Sequence, residues 1–292
     1  MKKLILTSAV LLVALMAQAQ TKIAAKLTNG FKAVYTQELT VEAAGTSFNV
    51  VTEEEYAVSD VTPTGAVITV TTTKVASDAK EVPAQLMLIP MKAMEGSSVR
   101  LATDTDGKVQ KVLNADEMKE KMLAMITKMI DNFMAEYTEV AQMLPKESLI
   151  EQLSNRVSEE MILESMKSGV LALNGKQLSN GATETEVKNG MKLKRMYFVM
   201  GKTVVANATI DMTKDEMKAA IIKEVEESAP DQAQMVKENI DALMGQMKMD
   251  LTEKTTYTLS DTNGWVTSIK TEANQDIMGQ QTKQTSVIKL VE

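Results

Sequence analysis

The stretch Phe31-Lys-Ala-Val-Tyr-Thr-Gln-Glu-Leu-Thr-Val-Glu42 decides the fold. Its odd positions Phe31, Ala33, Tyr35, Leu39 and Val41 are apolar, whereas Lys32, Thr36, Glu38, Thr40 and Glu42 are polar. Successive side chains of a strand point to opposite faces, so this period of two predicts one long strand with one buried face. Gly45 ends it, and Phe48, Val50, Tyr56 and Val58 then share a face in a second strand reaching Asp60. Pro63 and Gly65 mark the next turn, and Ile68 and Val70 share a face in a third strand. Three long strands with short connections predict an antiparallel meander. Within it, Glu53-Glu54-Glu55 reads as a solvated run.

The C-terminus has the same grammar. Met249, Leu251, Tyr257 and Leu259 alternate with Asp250, Thr252, Lys254, Thr256 and Thr258, and Trp265 with Ile269 follows the Asn263-Gly264 turn. Ile288 and Leu290 form a last strand after Met278-Gly279. Asp106-Gly107 and Asn263-Gly264 are type I′ hairpin signals, because both residue types tolerate positive φ. Asp104-Thr-Asp-Gly107 lacks the further ligands of a calcium loop and reads as a turn.

Helices fill the middle. Leu113-Asn-Ala-Asp-Glu-Met-Lys119 and Met212-Thr-Lys-Asp-Glu-Met-Lys218 share a DEMK core, and each follows a hairpin. Asn114 with Glu117, and Thr213 with Glu216, have capping-box spacing. The first helix carries Met118, Met122, Met125, Met129 and Phe133 on one stripe. A second shows Leu149, Leu153, Val157 and Met161, a third Met217, Ile221 and Val225, and a fourth opens at Pro230 with Val236, Ile240, Leu243 and Met247. The pattern reads as a degenerate duplication of a strand-hairpin-helix unit with about ten strands and four helices. It gives an N-terminal lobe at 20–169 (a meander, a hairpin and two helices) and a C-terminal lobe at 170–292. No Pro-, Gly- or Ser-rich linker divides them, so one continuous unit is expected.

Residues 1–19 read as a cleavable export signal: Lys2 and Lys3, an apolar run from Leu4 to Met16, and Ala17-Gln18-Ala19. The run is too short for a bilayer span, which needs about 20 residues. Without a Cys there is no lipid anchor, so the expected location is periplasmic or secreted, with no transmembrane segment after cleavage.

Composition excludes much chemistry. The 292 residues contain no Cys and no His. Thiolate nucleophiles, zinc knuckles, iron–sulfur clusters and histidine-based catalytic arrangements are therefore absent. No phosphate loop or nucleophile elbow occurs, and no catalytic residue, metal site or cofactor is assigned. A net charge of −7 with three Arg argues against nucleic acid as a partner.

One anomaly remains: 23 Met beside one Trp, five Tyr and four Phe. Met packs irregular cores, but it also forms apolar surfaces that remould around varied ligands. A third use, Cu(I) held by thioethers alone, needs three converging sulfurs. An antiparallel sheet with one solvated face needs cover on the other, and amphipathic helices supply it. The predicted fold class is α+β: a long-stranded, curved, half-barrel-like antiparallel sheet on Met-rich helices.

The Phe31–Gly45 meander, the Asp104–Val109 turn, the helices and the Thr252–Ile269 meander together resemble the half-barrel carriers of the bacterial envelope, the LolA-like and LppX-like superfamily. They also resemble other exported bacterial proteins with paired DG/NG-turn meanders. The resemblance implies a non-enzymatic protein that binds or carries an apolar, lipid-like ligand in the periplasm. Helix positions expected to face such a cavity are Met118, Met122, Met125, Met129, Phe133, Met217, Ile221, Met244 and Met247. The alternatives are an envelope interaction module with a solid core and an envelope protein as partner, or Cu(I) binding.

Overall fold

The computed structural model describes residues 20–43, 46–139, 145–154, 158–188, 191–228, 230–246, 249–277 and 280–291. The expected leader at 1–19, the turns at Gly45 and Met278-Gly279, and Val157 and Met247 lie outside the described residues. The strands run β1 (Thr21–Lys22), β2 (Lys32–Ala43), β3 (Thr46–Thr62), β4 (Gly65–Ser77), β5 (Ser97–Thr103), β6 (Val109–Val112), β7 (Gln177–Leu178), β8 (Ala182–Lys188), β9 (Met191–Met200), β10 (Thr203–Ile210), β11 (Met249–Leu259), β12 (Val266–Ile277) and β13 (Gln280–Leu290). The helices are α1 (Val82–Ala93), α2 (Ala115–Glu136), α3 (Lys146–Ser154), α4 (Glu159–Met166), α5 (Lys214–Ser228) and α6 (Pro230–Gln246).

Eleven strands make one antiparallel sheet, curved and unclosed, packed on helices. Its spatial order is β6-β5-β4-β3-β2-β13-β12-β11-β10-β9-β8, and β1 pairs separately with β7. Each strand of the large sheet lies beside its neighbour in chain order except at one seam, where β13 pairs with β2. The arrangement is a ring of strands joined at the chain termini and left open between β6 and β8. Helices α2, α3 and α4 occupy the connection between those two free edges.

Period two holds along the long strands. Val50, Thr52, Tyr56 and Val58 of β3 are buried, and so are Ala33, Tyr35 and Val41 of β2. Cross-strand register places these residues on the same face, because Tyr35 lies opposite Glu54 and Ala33 opposite Tyr56. The middle of the Glu53–Glu55 run is therefore not solvated, contrary to the expectation. Glu55 meets Lys32 at 2.9 Å on the outer face, while Glu54 turns inward and accepts from the Tyr56 hydroxyl at 2.9 Å.

Six helices stand among the described residues, where four are expected, and the N-terminal lobe holds four of them. Helix α1 is hidden in the sequence because Pro83 and Pro90 interrupt an almost continuous apolar run with no polar face to set a phase. The second expected helix is two. Ser158 caps α4, its side chain accepting from the Met161 backbone N–H, and this fresh start resets the helical phase. Consequently Ile162 is buried, while Met161 is 41% exposed.

The two DEMK starts also differ. The Thr213–Glu216 box forms as expected, with reciprocal bonds of 2.8 and 3.2 Å. Asn114 does not cap α2; its amide bridges back to β5, accepting from Arg100 N and donating to Ser98 O. Leu113 N extends that contact by donating to Arg100 O, so the β5 backbone takes up the side chain that would have capped the helix.

The main apolar core lies between the concave face and α1–α4. Helix α2 buries Met118, Met122, Ile126, Ile130 and Phe133 there, each worth about 1.5–3 kcal/mol. A smaller cluster of Val50, Val75 and Leu88 fills the space under α1.

A strap at residues 20–31 ties the sheet ends together. Lys22 pairs with Asp106 at 2.8 Å, Lys26 N donates to Asn263 O, and the Trp265 indole donates to Lys26 O at 3.2 Å. Phe31 stacks on Trp265 with ring centroids 4.8 Å apart. Gly264 makes this approach possible: its φ is +70°, and a Cβ there would lie 2.4 Å from the Ala24 carbonyl oxygen. Gly181 has a similar φ of +79° with nothing within 4 Å. Gly264→Ala is therefore expected to cost roughly 1–2 kcal/mol more than Gly181→Ala. Denaturant melts measure the difference, and Trp265, the sole Trp, should shift to redder fluorescence only in the first variant.

Candidate functional site on the concave face

The helix positions expected to face a cavity separate into two groups. Met118, Met122 and Phe133 are buried in the main core, and Met125 and Met129 pack against it. Met217 and Ile221 stand on α5 and belong to neither apolar cluster. The side chains of Met244 and Met247 lie outside the described residues. The first five are thus brought together, and the α5 pair is held apart from them.

Helix α5 begins beside the end of the β9–β10 hairpin. Asp211 N donates to Lys192 O, the Met212 sulfur accepts from Lys192 N at 3.1 Å, and Lys192 Nζ lies 3.5 Å from Glu216. Helices α5 and α6 pack together, with Lys218 bonded to Asp241 at 2.6 Å. None of the described side chains of α5 is buried; Met217, Ile221, Ile222 and Val225 are half-buried. At this end of the hairpin, the concave residues Leu193 and Ala208 are nonetheless buried.

Between β8 and β11 the concave face carries a charged network that the sequence pattern did not reveal. Arg195 of β9 is buried, and its guanidinium donates to Glu186 of β8 and, at 2.9 Å, to Glu253 of β11. Burial opposes the Arg195 charge, but those two carboxylates more than offset it and raise its pKa above the ordinary arginine value. Beside it, the Tyr197 hydroxyl donates to Glu184, and Lys176 reaches both Glu184 oxygens at 2.6 and 2.7 Å. Burial works to raise the Glu184 pKa, yet the Lys176 and Tyr197 hydrogen bonds prevail and hold it below the usual carboxylate range. Tyr257 is pushed up to about 12, chiefly by burial. The clue available in sequence is the alternation Ala182, Glu184, Glu186, which puts two acids on one strand face opposite Leu193, Arg195 and Tyr197.

A second inward acid behaves differently. Burial pushes the Glu54 carboxyl above its ordinary range, although the Tyr56 hydroxyl bond pulls the other way. Nearby, Tyr35 donates to Val266 O at 2.7 Å and meets Tyr56 edge-on, with centroids 5.2 Å apart. Among the described residues, no group of three or more His, Cys, Asp or Glu side chains is placed to hold a metal ion, and no helix is long and apolar enough to cross a membrane.

No protein-family model matches the sequence, and no curated protein does. A solved structure described as lipid–protein interactions in lipovitellin superposes on 91% of this chain with a TM-score of 0.41 and 7% identity. This chain spans 26% of that one.

Two substitutions probe the inward charges. Arg195→Met leaves Glu186 and Glu253 facing each other without a cation, and is expected to cost about 3 kcal/mol in urea unfolding. Adding Glu253→Gln should recover part of that loss. Glu54→Gln keeps the acceptor for Tyr56 and removes a carboxylate that burial disfavours. A raised carboxyl pKa means the folded state holds its proton more tightly, so wild-type stability falls as pH rises from the ordinary value of 4.5 through the folded value. The melting temperature of Glu54→Gln should therefore exceed that of wild type at neutral pH, with the gap narrowing towards pH 4.

Proposed function

We propose that this chain is an exported, non-enzymatic protein of the bacterial envelope, periplasmic or secreted, that binds an apolar, lipid-like ligand on the concave side of its sheet. The observation that carries this reading is the contrast between the two helix layers. Helix α2 sinks five apolar side chains into the core, whereas α5 leaves Met217, Ile221, Ile222 and Val225 half-buried. Apolar surface left partly in water costs about 25 cal/mol per Å², and an acyl chain lying against that side of α5 would remove that cost. The flexible thioether of Met217 suits a ligand of variable shape.

A solid-core interaction module is the second reading, and the filled layer under α2 supports it. Titrating delipidated protein with a dansylated fatty acid separates the two. The ligand reading expects saturable fluorescence enhancement, weakened about tenfold or more by Ile221→Asp. An absence of saturable binding overturns it, and crosslinking that then recovers an envelope protein supports the module instead.

A further inference from the structure

We propose that the outer face of the β8–β10 end of the sheet docks onto the surface of an anionic lipid bilayer. The inference is independent of the concave site, since it concerns the opposite face. Strand β9 alternates, and its outward residues in order are Lys192, Lys194, Met196, Phe198 and Met200. The last four are exposed; Met196 is 38%, Phe198 37% and Met200 60% accessible, and Val187 on the neighbouring β8 is 63% accessible. Register extends the patch inward, because Phe198 lies opposite Val205, and Met200 opposite Thr203. Single exposed apolar residues are ordinary, but three successive outward positions on one strand form a contiguous stripe that water disfavours.

Charge chooses the occupant. Along β8, β9 and β10 the described outward positions are Thr183, Thr185, Val187, the five β9 residues, Thr203, Val205, Asn207 and Thr209, with two lysines and no acid. Lys254 of β11 stands outward beside Asn207, but Glu272 of β12 lies opposite it and balances its charge. The acids of this region point the other way: Glu184 and Glu186 face inward, where Lys176 and Arg195 hold them. Among the described residues, acids reach this face from its borders: Glu216 lies 3.5 Å from Lys192, and Asp261 bonds Lys202 at the β9–β10 turn. A chain of net charge −7 thus presents here a face that is apolar along its centre, with Lys194 exposed beside the stripe and no acid among the described outward positions of β8–β10. Met and Phe side chains entering the headgroup region, with lysines against lipid phosphates, is the chemistry of interfacial binding. The overall negative charge repels the same membrane from other directions, so docking is oriented.

Vesicle co-sedimentation of the whole chain tests this. Wild type is expected to bind vesicles of mixed phosphatidylglycerol and phosphatidylcholine, and to bind pure phosphatidylcholine or salt-screened mixed vesicles more weakly. Phe198→Ser with Met200→Ser should lower binding by about tenfold, and Lys194→Glu by about fivefold on the anionic vesicles alone. Unchanged melting temperatures verify that these surface variants fold. Three results overturn the proposal: no binding of wild type to anionic vesicles, wild-type binding by the double serine variant, or light scattering that shows a dimer abolished by that variant, which would assign the stripe to a second copy.

Discussion

The pairing of the first long strand with the last is the constraint on which the architecture depends. Nine residue pairs, from Ala43–Thr282 to Leu290–Tyr35, join β2 to β13, and Val291 N adds a bond to Val34 O. Every other contact in the large sheet is between strands that follow one another in the chain. Local hairpins close small loops at little entropic cost, whereas this seam brings together the first and last long strands of the chain. Its reinforcement is correspondingly specific. Tyr35 reaches across to Val266, Trp265 reaches the strap at Lys26, and along the junction Phe31 stacks on Trp265 while Tyr56 meets Tyr35 and Trp265 edge-on. Four of the few aromatic residues are thus spent where the largest loop closes.

Leaving the ring open elsewhere creates two edges that the fold treats differently. Strand β6 is short, and α4 packs against it. Strand β8 is longer, and its Glu184 and Glu186 point inward to Lys176 and Arg195. Inward charge on an edge strand discourages pairing by a foreign strand, because the newcomer would have to bury its own side chains beside that charge. The Arg195 network therefore has a structural reading as well: it bolts β8 to β9 and β11 and keeps the edge single.

The two kinds of inward carboxylate show how context decides the sign of an effect. Glu184 is ionised by its partners and strengthens the fold as long as it stays charged. Glu54 receives one hydroxyl bond from Tyr56, and burial makes its charged form unfavourable. Both occur on concave strand positions, and composition does not distinguish Glu54 from the outward acids Glu53 and Glu55 on either side of it.

Strand alternation and the places of the DG and NG turns were legible in the chain because each depends on neighbours a few residues apart, although only Gly107 and Gly264, and not Asp106 or Asn263, take the positive φ that a type I′ turn requires of both residues. Period two in Phe31–Glu42 and Thr252–Leu259 pointed to long antiparallel strands, whereas the Met118–Phe133 stripe found only part of the buried face of α2, which is completed by Ile126 and Ile130 in place of Met125 and Met129. Tertiary structure alone decided the seam between β2 and β13, the loss of Asn114 from its cap to the β5 backbone, and the inward turn of Glu54. It also brought Glu186, Arg195 and Glu253 together from three strands and separated the α5 methionine from those of α2. These outcomes depend on which backbone arrives from elsewhere in the chain, and no local period encodes that arrival.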